Sequence, residues 1–180
     1  MLNSIKMKKI KKPSFVAIIP ARGNSLRIKN KNIKILNGKP LIYWSIKAAL
    51  ESKFINDVYV TSDSIKILKI SKKYSAKTLI RPKSLAGDIV HADIAIKKAY
   101  LKIKQNFDYI VFLQPTCPLR TSKNIDTASE IMLKNKYDSL LSVSPDTSFL
   151  WKKKKNYYVP INYNFKKRPR KQDVEFYKEN

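Results

Sequence analysis

The sequence is poor in cysteine and histidine, and this shortage excludes several kinds of site. Cys117 is the one cysteine among 180 residues, which excludes an intramolecular disulfide and argues against a zinc cluster. His91 is the one histidine, so a metal site built on two histidines is excluded as well. The chemistry of this chain must therefore be sought among its amides, arginines and lysines.

Long apolar runs are also missing. No stretch approaches the ~20 apolar residues that a membrane-spanning helix needs. The basic first fourteen residues are not followed by the apolar segment of a secretory signal. We therefore expect a cytoplasmic protein with no membrane partner.

Acidic residues are scarce, whereas cations are abundant. The chain has 38 Lys and Arg against 13 Asp and Glu, a formal charge of +25. Such an excess is typical of proteins that bind nucleic acids or phosphates, but it also arises in A/T-rich genomes. Because the cations are dispersed, apart from the run from Lys152 to Lys155, we interpret most of them as composition rather than as a nucleic-acid surface.

Short apolar runs alternate with helical patterns along the chain. We predict strands at 15–20, 58–62, 108–115 and 138–144, with the first and third buried on both faces. We predict helices at 41–52, 64–75, 91–103 and 124–134, the first with Pro40 at its opening position. This alternation predicts an α/β, Rossmann-like fold with a mostly parallel sheet and helices on both faces. Residues 77–81 stay ambiguous, and the pattern beyond residue 145 is unclear. We expect a basic extension at 1–14 and one domain at 15–180.

Three polar clusters follow predicted strands, at 21–32, 61–63 and 114–120. In a parallel sheet such clusters meet at the carboxyl ends of the strands. The first cluster has cations and no acid, and its Gly23 can allow close approach of the backbone to a phosphate. Its spacing fits neither the dinucleotide-binding nor the Walker pattern. We interpret it as a cradle for a polyphosphate; the alternative is a basic surface loop.

In order, these segments resemble the motifs of the acylneuraminate cytidylyltransferases (CMP-sialic acid synthetases), which join CMP from CTP to a sialic acid and release pyrophosphate. The family's ARGGSKGIPRKN, GKPLI, STD, LRPxxLAGD, LQPTSPLR, RPRRQD and YxEN motifs are matched by residues 21–32, 38–42, 61–63, 80–88, 113–120, 168–173 and 177–180. The resemblance implies a nucleotidyltransferase fold and CTP and an acidic nine-carbon sugar as substrates.

The resemblance also implies roles for individual residues in the first half of the chain. Arg22 and Lys31 are expected to hold phosphates, with Gly23 and Asn32 in the same nucleotide-binding loop. Arg81 is expected near the nucleotide, where it can donate to the O2 and N3 acceptors of cytosine. Lys31 is one of two candidates for a catalytic residue.

Further roles fall on later motifs. Gln114 is expected in the sugar and nucleotide pocket, where an amide both donates and accepts. Arg170 is the second catalytic candidate, suited to a carboxylate or a phosphate; the alternative is a solvated basic run. Arg120 and Lys178 are weaker candidates from the same motifs. For Asp63 we favour a helix N-cap over a functional acid.

The sequence departs from the family at two places near the nucleotide. Leu26 stands where the family usually has lysine, and we hypothesise that Arg27 restores the lost charge. His91 and Ala92 stand where the family often has serines, and we assign no catalytic role to His91.

The chain stops at Asn180, before the family's dimerisation arm and the acidic pair that holds Mg²⁺. The resemblance implies Mg²⁺ and, for the full-length family, a homodimer, but the sequence supplies no evident metal ligands. Activity of these 180 residues alone is therefore not predicted. A related acceptor, legionaminic or pseudaminic acid, stays open. So do a basic nucleic-acid-binding module, which we do not favour, and an inactive remnant.

Overall fold

The computed structural model describes residues 12–23, 28–82, 84, 92–174 and 176–179. The chain divides into two compact units, one ending at Asn135 and the other beginning at Lys136. Each is described by itself. Within the described residues, no helix has the length and apolarity required to cross a membrane.

The first unit is built on a parallel sheet whose central strands are β1 (Phe15–Pro20) and β4 (Ile55–Ser62). The outer strands are β5 (Lys77–Ile80) and β6 (Tyr109–Phe112), and the order is β5-β4-β1-β6. All three pairings are parallel, as predicted. Four of the ambiguous residues 77–81, Lys77–Ile80, thus form a strand, which so short a segment could not establish from the sequence.

Alternate residues of β1 enter two separate cores. Ala17 and Ile19 pack in one apolar cluster, whereas Val16 and Ile18 pack in the other. This period of two is what a strand buried on both faces requires. The first core includes side chains of α1 (Leu41–Leu50), α2 (Ile65–Lys73) and α4 (Ser122–Asn135), and the second includes those of α3 (Ala92–Tyr100). Helices therefore cover both faces, and the predicted fold class is confirmed.

A small hairpin leads from the first loop into α1. Its strands are β2 (Ile35–Leu36) and β3 (Lys39–Pro40), which pair antiparallel around Asn37 and Gly38. Both turn residues have positive φ, 48° and 73°, as the Asn-Gly pair favours. Pro40 ends β3 and occupies the N-cap position of α1, so it precedes the first helical residue instead of being that residue.

The prediction that the strand at 108–115 is buried on both faces is wrong. Val111 packs against the first core, but Ile110 and Phe112 are exposed. The reason is position, since β6 ends the strand order and pairs only with β1 among the described strands. An apolar run cannot by itself distinguish a central strand from an outer one.

The second unit contains two antiparallel pairs. One joins β7 (Val143–Asp146) to β10 (Phe176–Glu179), and the other joins β8 (Trp151–Lys154) to β9 (Tyr157–Pro160). The strand predicted at 138–144 is thus shorter and later than expected. Residues 138–142 lie outside any strand, and β7 pairs with β10 instead of extending the parallel sheet.

Candidate functional site

The polar residues predicted after strands meet at the carboxyl edge of the sheet. Arg22 and Gly23 follow β1, Asp63 follows β4, Arg81 follows β5 and Gln114 lies two residues beyond β6. Backbone hydrogen bonds continue past the strand ends and hold these segments side by side. The Ala21 N–H donates to Thr61 over 2.9 Å, and that of Arg81 donates to Ser62 over 2.8 Å. This edge is where ligands bind in open α/β sheets.

Gly23 allows the first loop to approach the end of β4. Its N–H donates to Asp63 Oδ1 over 2.9 Å. A Cβ at this position would lie 2.9 Å from Ser64 Cβ and 3.3 Å from Asp63 Oδ2. The glycine is therefore required by space, and what it approaches in this structure is protein.

Asn32 fixes the far side of the same loop. It is buried, and its Nδ2 donates to the Arg22 carbonyl over 3.0 Å. It lies in a short 3-10 turn (Lys31–Ile33) that follows Asn30, whose φ is 54°. The turn sets the half-buried Lys31 immediately before Asn32. The amide of Asn32 thus shapes the backbone around the Arg22 side of the site.

Arg81 is a buried cation, and not all of its N–H groups have a hydrogen-bond partner among the described residues. The residue is 8% exposed, and its Nη2 lies 3.5 Å from Asp63 Oδ1. Within the described part of the chain, its Nε and Nη2 are buried without a hydrogen-bond partner. Burial lowers the pKa of Arg81, the Asp63 carboxylate partly opposes this, and the positive charge of Arg22 lowers it further. An unpaired buried donor costs about 1–3 kcal/mol, which an acceptor on a ligand would offset.

A shallow cleft adjoins Arg81 on the α3 side of the sheet. Its lining includes Thr61, Pro82, Lys98 and Lys102. Lys102 Nζ donates to the carbonyl of Ile80 over 2.8 Å, which ties α3 to the end of β5. Among the described residues, the lining of the cleft thus combines three cations with apolar side chains and includes no acid.

Gln114 is positioned through its backbone. Its carbonyl accepts from Ser45 Oγ over 3.1 Å and from Arg120 Nη2 over 2.7 Å. Arg120 Nη2 also donates to Ser45 Oγ over 3.2 Å, so the three groups form a closed set. The Gln114 side chain is half-buried and its Oε1 accepts from Thr116 over 3.4 Å.

Arg120 therefore has a structural contact that its motif did not indicate. Burial lowers the pKa of its guanidinium, and the neighbouring Cys117 opposes this. Among the described residues, its Nε is buried without a hydrogen-bond partner. The arginine closes the 114–120 loop against α1 through Ser45.

Arg170 and Lys178 belong to the second unit. Arg170 is exposed and makes a bidentate pair with Asp173, with Nε–Oδ2 and Nη2–Oδ1 distances of 2.8 and 3.0 Å. This pair raises the pKa of Arg170. Lys178 is exposed on β10, opposite Ser144 of β7. Neither prediction is tested by these contacts.

Two of the predictions fall outside the described residues. Arg27, proposed to compensate for Leu26, lies there, as does His91, to which no role was assigned. The idea that Arg27 compensates for the charge lost at Leu26 therefore remains a hypothesis drawn from the sequence alone.

The prediction that Asp63 caps α2 is wrong. Ser64 occupies the N-cap position, and no side chain makes a capping hydrogen bond there. Asp63 instead joins Gly23 to Arg81, across 40 and 18 residues of sequence respectively.

The contact of Ser45 with Gln114 was not predicted from the sequence. A signal was present, because Ser45 is a polar residue on the apolar face of α1 with Ile42, Ile46 and Ala49.

The sequence matches a known family and is similar to individual known proteins. A sequence family described as Cytidylyltransferase matches residues 16–180. The chain is 35% identical over 175 residues to N-acylneuraminate cytidylyltransferase A of Danio rerio, covering 95% of this chain and 40% of the relative. It is 37% identical over 134 residues to CMP-N,N'-diacetyllegionaminic acid synthase of Legionella pneumophila, covering 72% of this chain and 57% of the relative.

The fold also has a counterpart among solved structures. The structure of CMP:2-keto-3-deoxy-manno-octonic acid synthetase complexed with CTP superposes with a TM-score of 0.67 at 19% identity. The match covers 93% of this chain and 71% of that one. At this identity the likeness concerns the fold. The chain spans 40% and 57% of the lengths of the two sequence relatives described above.

Proposed function

Because the chain belongs to the cytidylyltransferase family, we propose that it binds CTP at the carboxyl edge of its parallel sheet and carries the nucleotide half of an N-acylneuraminate cytidylyltransferase. One observation carries the proposal. Arg81 holds a buried Nε donor at this edge that has no hydrogen-bond partner within the described part of the chain, and the positive charge of Arg22 is near enough to act on the guanidinium. Such a constellation suits an anion that also presents hydrogen-bond acceptors, as CTP does.

The proposed reaction is attack by a sugar hydroxyl on the α-phosphorus of CTP. A bond forms between the sugar oxygen and that phosphorus, and the bond to the α–β bridging oxygen breaks. Pyrophosphate leaves with the electron pair, and the proton of the sugar hydroxyl is released to water. Arg22 and Lys31 would neutralise charge that develops on the phosphates, the main contribution a protein makes to phosphoryl chemistry. Arg81 would donate to cytosine O2 and N3, and Gln114 would contact the ribose or the acceptor sugar.

The acceptor is proposed to be a sialic acid or a related nine-carbon acid sugar. The names of the two sequence relatives specify different sugars, so the acceptor of this chain is to be determined by measurement. Arg170 and Lys178 are proposed to act on the sugar carboxylate or on a phosphate. A homodimer is proposed on the resemblance alone, and a cytoplasmic location on the sequence pattern.

Magnesium is a weaker part of the proposal. Within the described residues, no three His, Cys, Asp or Glu side chains form a group that could hold a metal ion. Asp63, the carboxylate at the site, already accepts from Gly23 and faces Arg81. These residues do not fit a protein-bound Mg²⁺, so we propose that the ion arrives bound to the phosphates of CTP, which are themselves magnesium ligands.

A thermal melt with CTP or GTP, at low and at moderate salt, tests the proposal. We expect CTP to raise the midpoint more than GTP, and to do so at both salt concentrations, because binding to the native state stabilises it. Equal shifts that disappear with salt would contradict the proposal and favour a basic surface that binds polyanions. If CTP is preferred, pyrophosphate release with sialic, legionaminic or pseudaminic acid identifies the acceptor.

A further inference from the structure

We infer that Asp63 is a positioning residue for nucleotide recognition: it holds the first loop and the Arg81 guanidinium in one fixed arrangement. The inference rests on the proposed function and extends it to Asp63, for which the sequence favoured a helix N-cap. Asp63 would touch neither the phosphates nor the base. It would act through Gly23 on one side and Arg81 on the other.

The geometry places one oxygen between two elements. Asp63 Oδ1 accepts the Gly23 N–H at 2.9 Å and lies 3.5 Å from Arg81 Nη2. The loop carrying Gly23 follows β1, whereas Arg81 follows β5, and β4 with Asp63 lies between them in the sheet. A single carboxylate therefore spans three neighbouring strand ends.

The negative charge of Asp63 also acts on the cations at this edge. Arg81 is buried, and Arg22 on the loop is near enough for its charge to oppose that of Arg81. Asp63 is itself only 16% exposed, so its negative charge is little screened by water. It offsets the repulsion between these two cations, which lie at the same edge of the sheet.

The Nε donor of Arg81 explains why this placement matters. Nη2 faces Asp63, whereas Nε is buried without a hydrogen-bond partner among the described residues, so a small rotation of the guanidinium would change which acceptor Nε can meet. Cytosine N3 is an acceptor, whereas uracil N3 carries a proton. An arginine held at a base of this kind would therefore separate CTP from UTP, two nucleotides of the same charge and nearly the same size.

The test is the ratio of dissociation constants for UTP and CTP, measured on the full chain and on D63N. Asparagine retains an oxygen that can accept from Gly23 but removes the charge beside Arg81. We expect the wild type to prefer CTP, and D63N to lower this preference by about tenfold, the size of one charged hydrogen bond. A residue with only a structural role would change the melting temperature and leave the ratio intact.

The chain offers a matched control in Asp57. Its side chain, like that of Asp63, is 16% exposed and pairs with a cation, here Lys77 of β5 at 2.6 Å. Asp57 lies on β4 itself, whereas Asp63 directly follows the strand. Asp57 lies near the opposite end of the strand. We expect D57N to retain the CTP preference, whatever its effect on the melting temperature.

A double substitution tests whether Asp63 acts through Arg81. In the R81K background, where the planar guanidinium is lost, D63N should change the ratio no further. If D63N does not fold, D63E provides the same readout, because it keeps the charge but displaces the carboxylate by one methylene. We expect a lowered preference there too.

The outcomes separate the two proposals. A wild type that prefers CTP over GTP and UTP, combined with a D63N that keeps the full CTP preference, would overturn the role of Asp63 alone. An undiminished effect of D63N in the R81K background would overturn it as well. A wild type that does not distinguish CTP from GTP would overturn the proposed function itself.

Discussion

The guanidinium of Arg120 donates to the backbone carbonyl of Gln114, six residues earlier, with 2.7 Å between Nη2 and the oxygen. The loop that carries the expected pocket glutamine is thereby closed on itself. Because Ser45 donates to the same carbonyl, the closed loop is also attached to α1. The conformation of this loop thus depends on the side chains of Ser45 and Arg120.

We predict that R120A lowers the free energy of unfolding by about 1–3 kcal/mol, because a charged hydrogen bond is lost and buried space is vacated. Urea denaturation followed by circular dichroism measures it. The control is K47A, which removes an exposed pair with Glu51 and should have no measurable effect. Equal stabilities of the two variants would contradict a structural role for Arg120.

We predict that G23A weakens CTP and inorganic tripolyphosphate to a similar degree. The added methyl would lie 2.9 Å from Ser64 Cβ, so the loop with Arg22 must move away from β4. Isothermal titration calorimetry with both ligands measures it. The control is G38A, where a methyl meets nothing within 4 Å but the φ of +73° is strained for alanine. A G38A that loses as much affinity as G23A would show that general strain, and not the loop, is responsible.

We predict unequal costs for the same substitution at two isoleucines. Ile46 is fully buried on α1, and I46A should lower the free energy of unfolding by about 2–5 kcal/mol. Ile110 on β6 is 43% exposed, and I110A should cost less than about 1 kcal/mol. Chemical denaturation of both variants decides whether β6 is an outer strand with one exposed face. Similar costs would mean that this face is covered in solution.

We predict that Asp146 titrates below its ordinary value of 3.8. The side chain and backbone of Ser148 hydrogen-bond to the carboxylate and lower its pKa, with a smaller effect from Lys178. Since the folded pKa is the lower one, the stabilisation is present above pH 3.8 and is lost as the pH falls through the lowered pKa. NMR titration of the side-chain carboxyl should show the midpoint rise in S148A, and an unchanged midpoint would refute the assignment.

The sequence predicted the parts of this fold that depend on local pattern. The continuous apolar run of β1 and the helical spacing of α1 and α2 were enough to predict alternating strands and helices. The clusters after the strands were enough to predict that Arg22, Asp63 and Gln114 gather at one edge. Arg81 was expected near the nucleotide from the family resemblance alone, because residues 77–81 stayed ambiguous. Periodicity reports how a segment is buried, and parallel topology then places the strand ends together.

The rest depended on contacts between distant residues. An aspartate before a helix is an ordinary N-cap in sequence, so nothing local indicated that Asp63 pairs with Gly23 and Arg81. An arginine in a basic chain carries no sign that it will hold a backbone carbonyl of its own loop, as the half-buried Arg120 does. For the same reason the run at 108–115 did not reveal that Ile110 and Phe112 face outward.

The alternation of side chains along β1 has a consequence for how this protein can change. Ala17 and Ile19 face one core, Val16 and Ile18 face the other, and the loop with Arg22 begins one residue after the strand ends. A one-residue deletion within the strand would exchange the two sets of side chains and pull the loop back by about 3.3 Å. A substitution at one of these four positions therefore disturbs one core, whereas the loss of a single residue from the strand would disturb both cores and the loop that follows.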